Sequence, residues 1–267
     1  MLTQVAFSTR LAATPRHPLV TPNPSCGGWD LTTYDACEFR CVYCITGVQG
    51  VSTPRLPREE VRGRLLEELR AVPRDARISV GGLCDAYPTP EREHRVTRAA
   101  LGVLVDLDLP FSIVTKSTLV MDDLDLFASY RSASVAVSLC SVDEARLRSV
   151  DPRAPSAAAR LDVVHRLAAA GVKVAVSAAP WIPGVTDADA LVEHISPDIP
   201  VWFAPLNVLA PEVSGSAYGR RFSQREVNEA YVQASRRIGR RANVRWLRPV
   251  PLADPLAPGA LVASPVV

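Results

Sequence analysis

Residues 111–139 read FSIVTKSTLVMDDLDLFASYRSASVAVSL, and the fold follows from how that stretch changes period. Phe111 to Thr115 and Ser134 to Leu139 are short, nearly unbroken runs of apolar and β-branched residues, which suits strands buried on both faces. Between them Met121 to Tyr130 carries a helical pattern. A strand, a helix and a second strand of this kind form one right-handed crossover unit of a parallel sheet.

The same alternation extends outward in both directions. Downstream, Ser156 opens a helix with Leu161, Val164, Leu167 and Ala168 inward, and Gly171 ends it in a C-terminal cap position. Val172 to Ala178, a helix from Asp187, Val201 to Leu206, a helix from Ser223 to Arg240, and Val244 to Leu247 follow. Upstream, Arg77 to Val80 is a strand that stops at Gly81-Gly82. Thr89 then caps a helix with Pro90 at its first position and Val96, Ala99, Ala100, Val103, Leu104 and Leu107 along its apolar stripe. With a first strand at Trp29 to Thr33 the chain holds six or seven βα units. The expected fold is therefore α/β, a partial or full (β/α) barrel, with its chemistry at the C-terminal ends of the strands. Residues 1–28 read as an N-terminal extension, 29–248 as the barrel and 249–267 as a proline-rich tail.

Composition excludes several classes. The chain has 267 residues and a formal net charge of +2, enough to bury a full core without disulfides. No stretch reaches the roughly 20 apolar residues of a membrane helix, and the first 20 residues lack the apolar centre of a signal peptide. The expectation is a cytoplasmic protein with no membrane partner. Lys116 and Lys173 are the only lysines among 30 basic side chains. A sequence that writes arginine by default keeps Lys116 where a compact ammonium is not equivalent to a guanidinium.

Of six cysteines, three crowd into Cys37-Glu38-Phe39-Arg40-Cys41-Val42-Tyr43-Cys44, just after the first predicted strand. Three soft thiolates can hold three irons of a [4Fe–4S] cluster and leave the fourth open to a chelating ligand. A structural zinc site is the competing reading; it needs a fourth Cys or His with its own paired spacing, and His17 and Cys26 lie upstream without one. Cys140 reads as buried core, and Cys26 carries no argument.

Three cysteines at this spacing, with aromatic Tyr43 before the third, resemble the signature of the radical S-adenosylmethionine superfamily. Within it the chain is most similar to the spore photoproduct lyase and photolyase-like branch. The likeness lies in Asp85 and Tyr87 after the second strand, Thr115-Lys116-Ser117 after the third, Val137-Ser138 after the fourth, and Ala179-Pro180 with Ile182-Pro183-Gly184 after the fifth. The resemblance implies two cofactors, a [4Fe–4S] cluster and S-adenosylmethionine. One electron cleaves the sulfonium bond, and the resulting 5′-deoxyadenosyl radical takes a hydrogen atom from a substrate. It also implies roles: Cys37, Cys41 and Cys44 as metal ligands, Tyr43 against the adenine, Gly81 and Gly82 at the methionyl amino group, Lys116 at the carboxylate, Ser138 and Ala179 along ribose and adenine. Cys84 is the candidate for returning a hydrogen atom to the product. The chain departs from the lyase at Ile45, where the lyase has tyrosine, and in the place of Cys84, which directly precedes Asp85 where the lyase cysteine lies further upstream.

Plain structural readings stand beside these. The glycine pair is also an ordinary strand-to-helix turn, Lys116 a solvated loop lysine, and Cys84 a small buried apolar side chain. Nine arginines between Arg220 and Arg248 face only Glu226 and Glu229, which reads either as a phosphate-binding face or, the favoured reading, as the solvated side of a covering helix. Low overall charge and 6% aromatic residues argue against a long DNA groove and a wedge for base extrusion. The expected partner is a small-molecule substrate, with phosphate-bearing and nucleoside-like compounds among the candidates, together with a reducing protein such as flavodoxin or ferredoxin. A DNA photoproduct lyase-like repair enzyme is the alternative, and a non-catalytic iron–sulfur or zinc-binding module is the alternative of another class.

Overall fold

The computed structural model describes residues 17–23, 28–44, 46–208, 222–239 and 241–249. Cys26, Ile45, Arg220, Arg221, Arg240, most of the N-terminal extension and nearly all of the proline-rich tail lie outside the described residues.

Among the described residues eight strands form one sheet in sequence order: β1 (Val20–Asn23), β2 (Gly28–Leu31), β3 (Ile78–Val80), β4 (Phe111–Thr115), β5 (Ala133–Ser138), β6 (Lys173–Trp181), β7 (Val201–Pro205) and β8 (Val244–Trp246). From β2 to β8 every pairing is parallel, and β1 joins β2 antiparallel. Strands β1 and β8 share no pairing, so the sheet curls into a partial barrel of six βα crossovers. The β1 hairpin strand is an addition to the expected set, built within the segment read as an extension.

Helices follow the strands: α1 (Arg58–Glu68), α2 (Glu91–His94), α3 (Val96–Asp106), α4 (Leu124–Ser129), α5 (Glu144–Val150), α6 (Ala157–Ala169), α7 (Ala188–Glu193) and α8 (Gln224–Ile238). Their caps follow the sequence closely. Ser156 accepts from the Ala159 amide, Asp187 from Ala190, and Ser223 forms a reciprocal box with Glu226. Gly171, at φ +76°, turns the chain out of α6.

Two helices differ from expectation. The helix expected from Pro90 breaks at Arg95, a left-handed residue at φ 51°. Thr89 does not cap it, because its amide and hydroxyl both donate to Glu38. Instead Glu91 folds under the start of α3 and accepts from the Thr97 and Arg98 amides. The segment expected as one helix from Met121 begins earlier as a 3₁₀ turn, Thr118–Asp123, capped by Ser117. Helices α1 and α5 were not anticipated; α1 buries only Val61 and Leu65 among eleven largely charged residues.

The two faces of the sheet divide by chemistry. Phe203 and Trp246 stack at 4.4 Å, and Tyr231 of α8 meets Trp246 edge-on at 5.0 Å, which marks their side as the helix-covered one. Residues of opposite parity line the concave side. Two registered rows stand there, Asp30, Ser79, Ser112, Ser134 and Lys173 below, then Ser138, Ser177, Trp202 and Arg245 above. Between them lie Ala136 and Ala175. Small and hydroxyl-bearing residues on this side leave it without a packed apolar core of its own. No helix among the described residues is long and apolar enough to cross a membrane.

Candidate active site

The loop after β2 carries the three clustered cysteines, and the backbone fixes it at both ends. The Cys37 amide donates to Val48 O at 2.9 Å and Gly50 returns a bond to Cys37 O at 3.0 Å. Cys44 closes a tight turn onto Cys41 O at 3.2 Å, and the Gln49 side chain caps the same carbonyl. From outside, Val42 donates to Val150 O, Arg153 donates to Phe39 O, and Glu38 accepts from Thr89. The loop is thus held by segments following β3 and β5.

All three thiols are free of disulfides, with Cys37 and Cys44 half-buried and Cys41 buried. Cys84 lies beside Cys37, and the interaction of the two thiols outweighs burial to hold the Cys37 thiol below its ordinary value. Burial pushes the Cys41 thiol up. Cys84 is 5% exposed and is brought to the cysteine loop. Cys140 is packed in the core, as expected.

Asp85 joins the ends of β3 and β4. One carboxylate oxygen accepts from the Tyr87 amide at 3.0 Å and the Thr115 hydroxyl at 2.8 Å, and the other from the Lys116 amide at 2.8 Å. Those bonds aim the Lys116 side chain back over the cysteine loop. Its ammonium stands 5.5 Å from the centre of the Tyr43 ring, a cation–π contact, and makes no hydrogen bond to a described residue. Burial works to lower its pKa, yet the fields of Cys41, Asp151 and Asp85 prevail and hold it above the ordinary lysine value. Lys116 is thus a half-buried cation set over the cysteine loop rather than a fully solvated lysine.

Gly81 and Gly82 are constrained by space as well as by conformation. Gly81 sits at φ +92°, and a Cβ there would fall 2.3 Å from Val114 O. A Cβ on Gly82 would fall 2.9 Å from Asp30 Oδ1 and 3.3 Å from Ser79 Oγ. Both of those oxygens are buried without a hydrogen-bond partner among the described residues. Ser138 ends β5 on the concave side, and Ala179 follows Ala178 where the β6–β7 register shifts.

Two residues that sequence reasoning missed complete the arrangement. The Tyr43 hydroxyl donates to Asp151 Oδ1, and Asp151 Oδ2 pairs with Arg160 Nη1 at 2.8 Å. Arg160 also reaches Ser138 O at 2.9 Å. Burial pushes the Asp151 carboxyl up, but Lys116, Arg160 and the Tyr43 hydroxyl together hold it below its usual value. The available signal was Arg160 itself, a charged residue at a core position of the α6 stripe shared with Ala157, Val163, Val164 and Leu167.

Three free thiols on one loop and an ammonium with unspent donors are groups that an iron–sulfur cluster and an amino-acid-bearing ligand require, so these residues fit both, while the glycine pair is accounted for by close packing against Val114 O and Asp30. The chain belongs to the radical SAM superfamily, whose family profile matches residues 31–195. Members of that superfamily bind a [4Fe–4S] cluster and S-adenosylmethionine.

Curated relatives include an uncharacterized protein of Methanocaldococcus jannaschii, 25% identical over 179 residues, covering 62% of this chain and 65% of that one. Another, from Mycobacterium tuberculosis, is 30% identical over 176 residues, covering 61% and 51%. The chain therefore spans between half and two thirds of these relatives. Among solved structures, spore photoproduct lyase with bound AdoMet and a dinucleoside spore photoproduct superposes with a TM-score of 0.60 at 15% identity, covering 84% of this chain and 76% of that one. SuiB of Streptococcus suis bound to S-adenosylmethionine gives 0.57 at 14%, covering 87% and 51%. A radical SAM methyltransferase from Sphaerobacter thermophilus gives 0.56 at 20%, covering 86% and 69%. At these identities the likeness is one of fold.

Proposed function

We propose that Cys37, Cys41 and Cys44 ligate three irons of the cluster and that the remaining site residues hold S-adenosylmethionine for hydrogen-atom abstraction from a small-molecule substrate. The observation that carries this reading is the Lys116 ammonium poised over Tyr43, inside the turn that joins two of the three thiols. When bound, the reduced cluster and S-adenosylmethionine supply a 5′-deoxyadenosyl radical.

In this reading the protein binds and orients. Lys116 offers N–H donors to a carboxylate, Gly81 and Gly82 let an amino group approach the backbone, and Tyr43, Ser138 and Ala179 flank the nucleoside. Cys84 is the candidate hydrogen donor, and it lies beside Cys37. A reducing protein such as flavodoxin or ferredoxin delivers the electron, in a cytoplasmic setting that keeps these thiols reduced.

A small polar substrate is supported by the hydroxyl-lined concave face and by the near-zero net charge, which disfavours DNA. The hollow of about 220 Å³ lined by Arg77, Ser112, Ser134 and Lys173 together with Ile78, Pro110 and Phe111 lies at the N-terminal end of the sheet, opposite the cysteine loop, and stands apart from the proposed substrate site. The exposed arginines Arg236 and Arg237 lie on the outer side of α8, and Arg237 pairs with Asp189, in keeping with a solvated helix face.

The test is anaerobic reconstitution with iron and sulfide, reduction, and assay of 5′-deoxyadenosine from S-adenosylmethionine. Four irons per chain and reductant-dependent cleavage are expected. Failure to bind a cluster, or stoichiometric zinc in the purified protein, overturns the reading.

A further inference from the structure

We propose that Asp151 and Arg160 are positioning residues whose buried ion pair sets the place of Tyr43, and through it the Cys41–Cys44 turn, relative to the end of β5. The inference rests on the cofactor site proposed above and concerns residues that the cysteine motif does not contain.

The path is continuous. Arg160 lies in the first turns of α6, where Nε donates to Pro155 O and Nη1 donates both to Ser138 O and to Asp151. Asp151 ends α5 and accepts the Tyr43 hydroxyl with its other oxygen. Both charged residues are 1% exposed. The adjoining backbone follows the same path, since Val150 O accepts from Val42 and the Arg153 amide donates to Phe39 O. Tyr43 is separated from Asp151 by 108 positions, so only the folded sheet brings the two together.

Stability alone does not call for this arrangement. Desolvating two charges offsets most of their attraction, and apolar side chains of like volume commonly serve a core as well or better. Here the pair also leaves Arg160 Nη2 buried without a partner among the described residues, a further cost of carrying an arginine there. What an ion pair supplies and apolar packing does not is direction. A carboxylate anchored on one side by a guanidinium accepts the phenol at a defined point, and Tyr43 is adjacent to Cys44 and two residues from Cys41. The same ring lies under the Lys116 ammonium. One tether therefore aligns two thiols, an aromatic face and a cation with the strand end that carries Ser138.

The experiment compares the full-length wild type with Tyr43→Phe, Asp151→Asn and the double variant. Tyr43→Phe removes the hydroxyl while keeping the ring and the ion pair, so it tests the tether even if Asp151→Asn fails to fold. Amide hydrogen exchange of residues 37–49 is measured without cofactors. Iron content, the change in the reduced cluster's paramagnetic resonance spectrum on adding S-adenosylmethionine, and the affinity for it are measured after reconstitution.

The expected result is four irons in Tyr43→Phe, faster exchange in residues 37–49, and S-adenosylmethionine affinity lower by about tenfold, the order of one charged hydrogen bond. The double variant should bind no more weakly than Asp151→Asn. Wild-type exchange and affinity in Tyr43→Phe overturn the proposal, as do losses in the two single variants that add. A wild type that takes up no cluster rejects the cofactor site instead, and the exchange measurement still decides the tether.

Discussion

Cys37, Cys41 and Cys44 are interchangeable in chemistry but not in surroundings, and each is the sole proposed protein ligand of one iron. Any one changed to Ala should abolish the visible absorption of the reconstituted protein, checked by iron and sulfide analysis. Lys116 differs from them in carrying an ammonium, which stands over the ring of Tyr43. Lys116→Met should keep four irons and weaken S-adenosylmethionine binding by about 1.5–3 kcal/mol, the worth of a hydrogen bond to a charged group; titration calorimetry or the spectral change on binding reads it. Unchanged affinity would return Lys116 to the status of a loop lysine. For Cys84 the prediction concerns product rather than cofactor. If its thiol returns the hydrogen atom, Cys84→Ala should still form 5′-deoxyadenosine while losing normal product, and the wild-type product formed in D₂O should carry deuterium from the exchanged thiol. Normal product from the variant, with no deuterium from solvent, would leave Cys84 as packing against Cys37.

The strand ends matter because each loop after a strand is tied to the next. Asp85 ties β3 to β4, Arg160 ties β5 to α6, and Glu38 ties the cysteine loop to Thr89. Gly81 is the least replaceable element of this kind, since a side chain there meets Val114 O at 2.3 Å and the backbone stands at φ +92°. Gly81→Ala should lower stability by at least about 1–2 kcal/mol, the cost of a left-handed conformation for an L side chain, and shift the end of β3; urea unfolding measures the first effect and S-adenosylmethionine affinity the second. Asp187→Ala serves as a contrast. Loss of that cap on α7 should cost about 1 kcal/mol and leave iron content unchanged, because its capping bond is to the Ala190 amide, away from the cysteine loop. Helices whose caps are local, such as α6 and α8, were legible from sequence for the same reason. Helix α2 was not, since Thr89 and Glu91 spend their side chains on partners chosen by the fold, Glu38 for one and the start of α3 for the other.

At the scale of the whole molecule, the open sheet places all the proposed cofactor groups on the loops and strand ends that follow β2 to β6, leaving β7 and β8 to extend the concave wall. The sequence by itself determined the parallel α/β plan, because strand-length apolar runs separated by capped helices have few ways to bury both faces. It also determined the cysteine loop and, through resemblance, the superfamily and both cofactors, because these depend on spacings within a few residues. Only the tertiary structure decided that Cys84 lies beside Cys37, that Lys116 lies over Tyr43, and that Asp151 and Arg160 stand behind the turn between two thiols. The physical reason is distance along the chain. Local patterns report which face is apolar and where an element stops, whereas a buried charge declares its partner only once packing has brought the two together. Arg160 shows the difference plainly: read along α6 it is a polar residue on an apolar stripe, and in the folded sheet it joins Ser138, Asp151 and Tyr43 into one support.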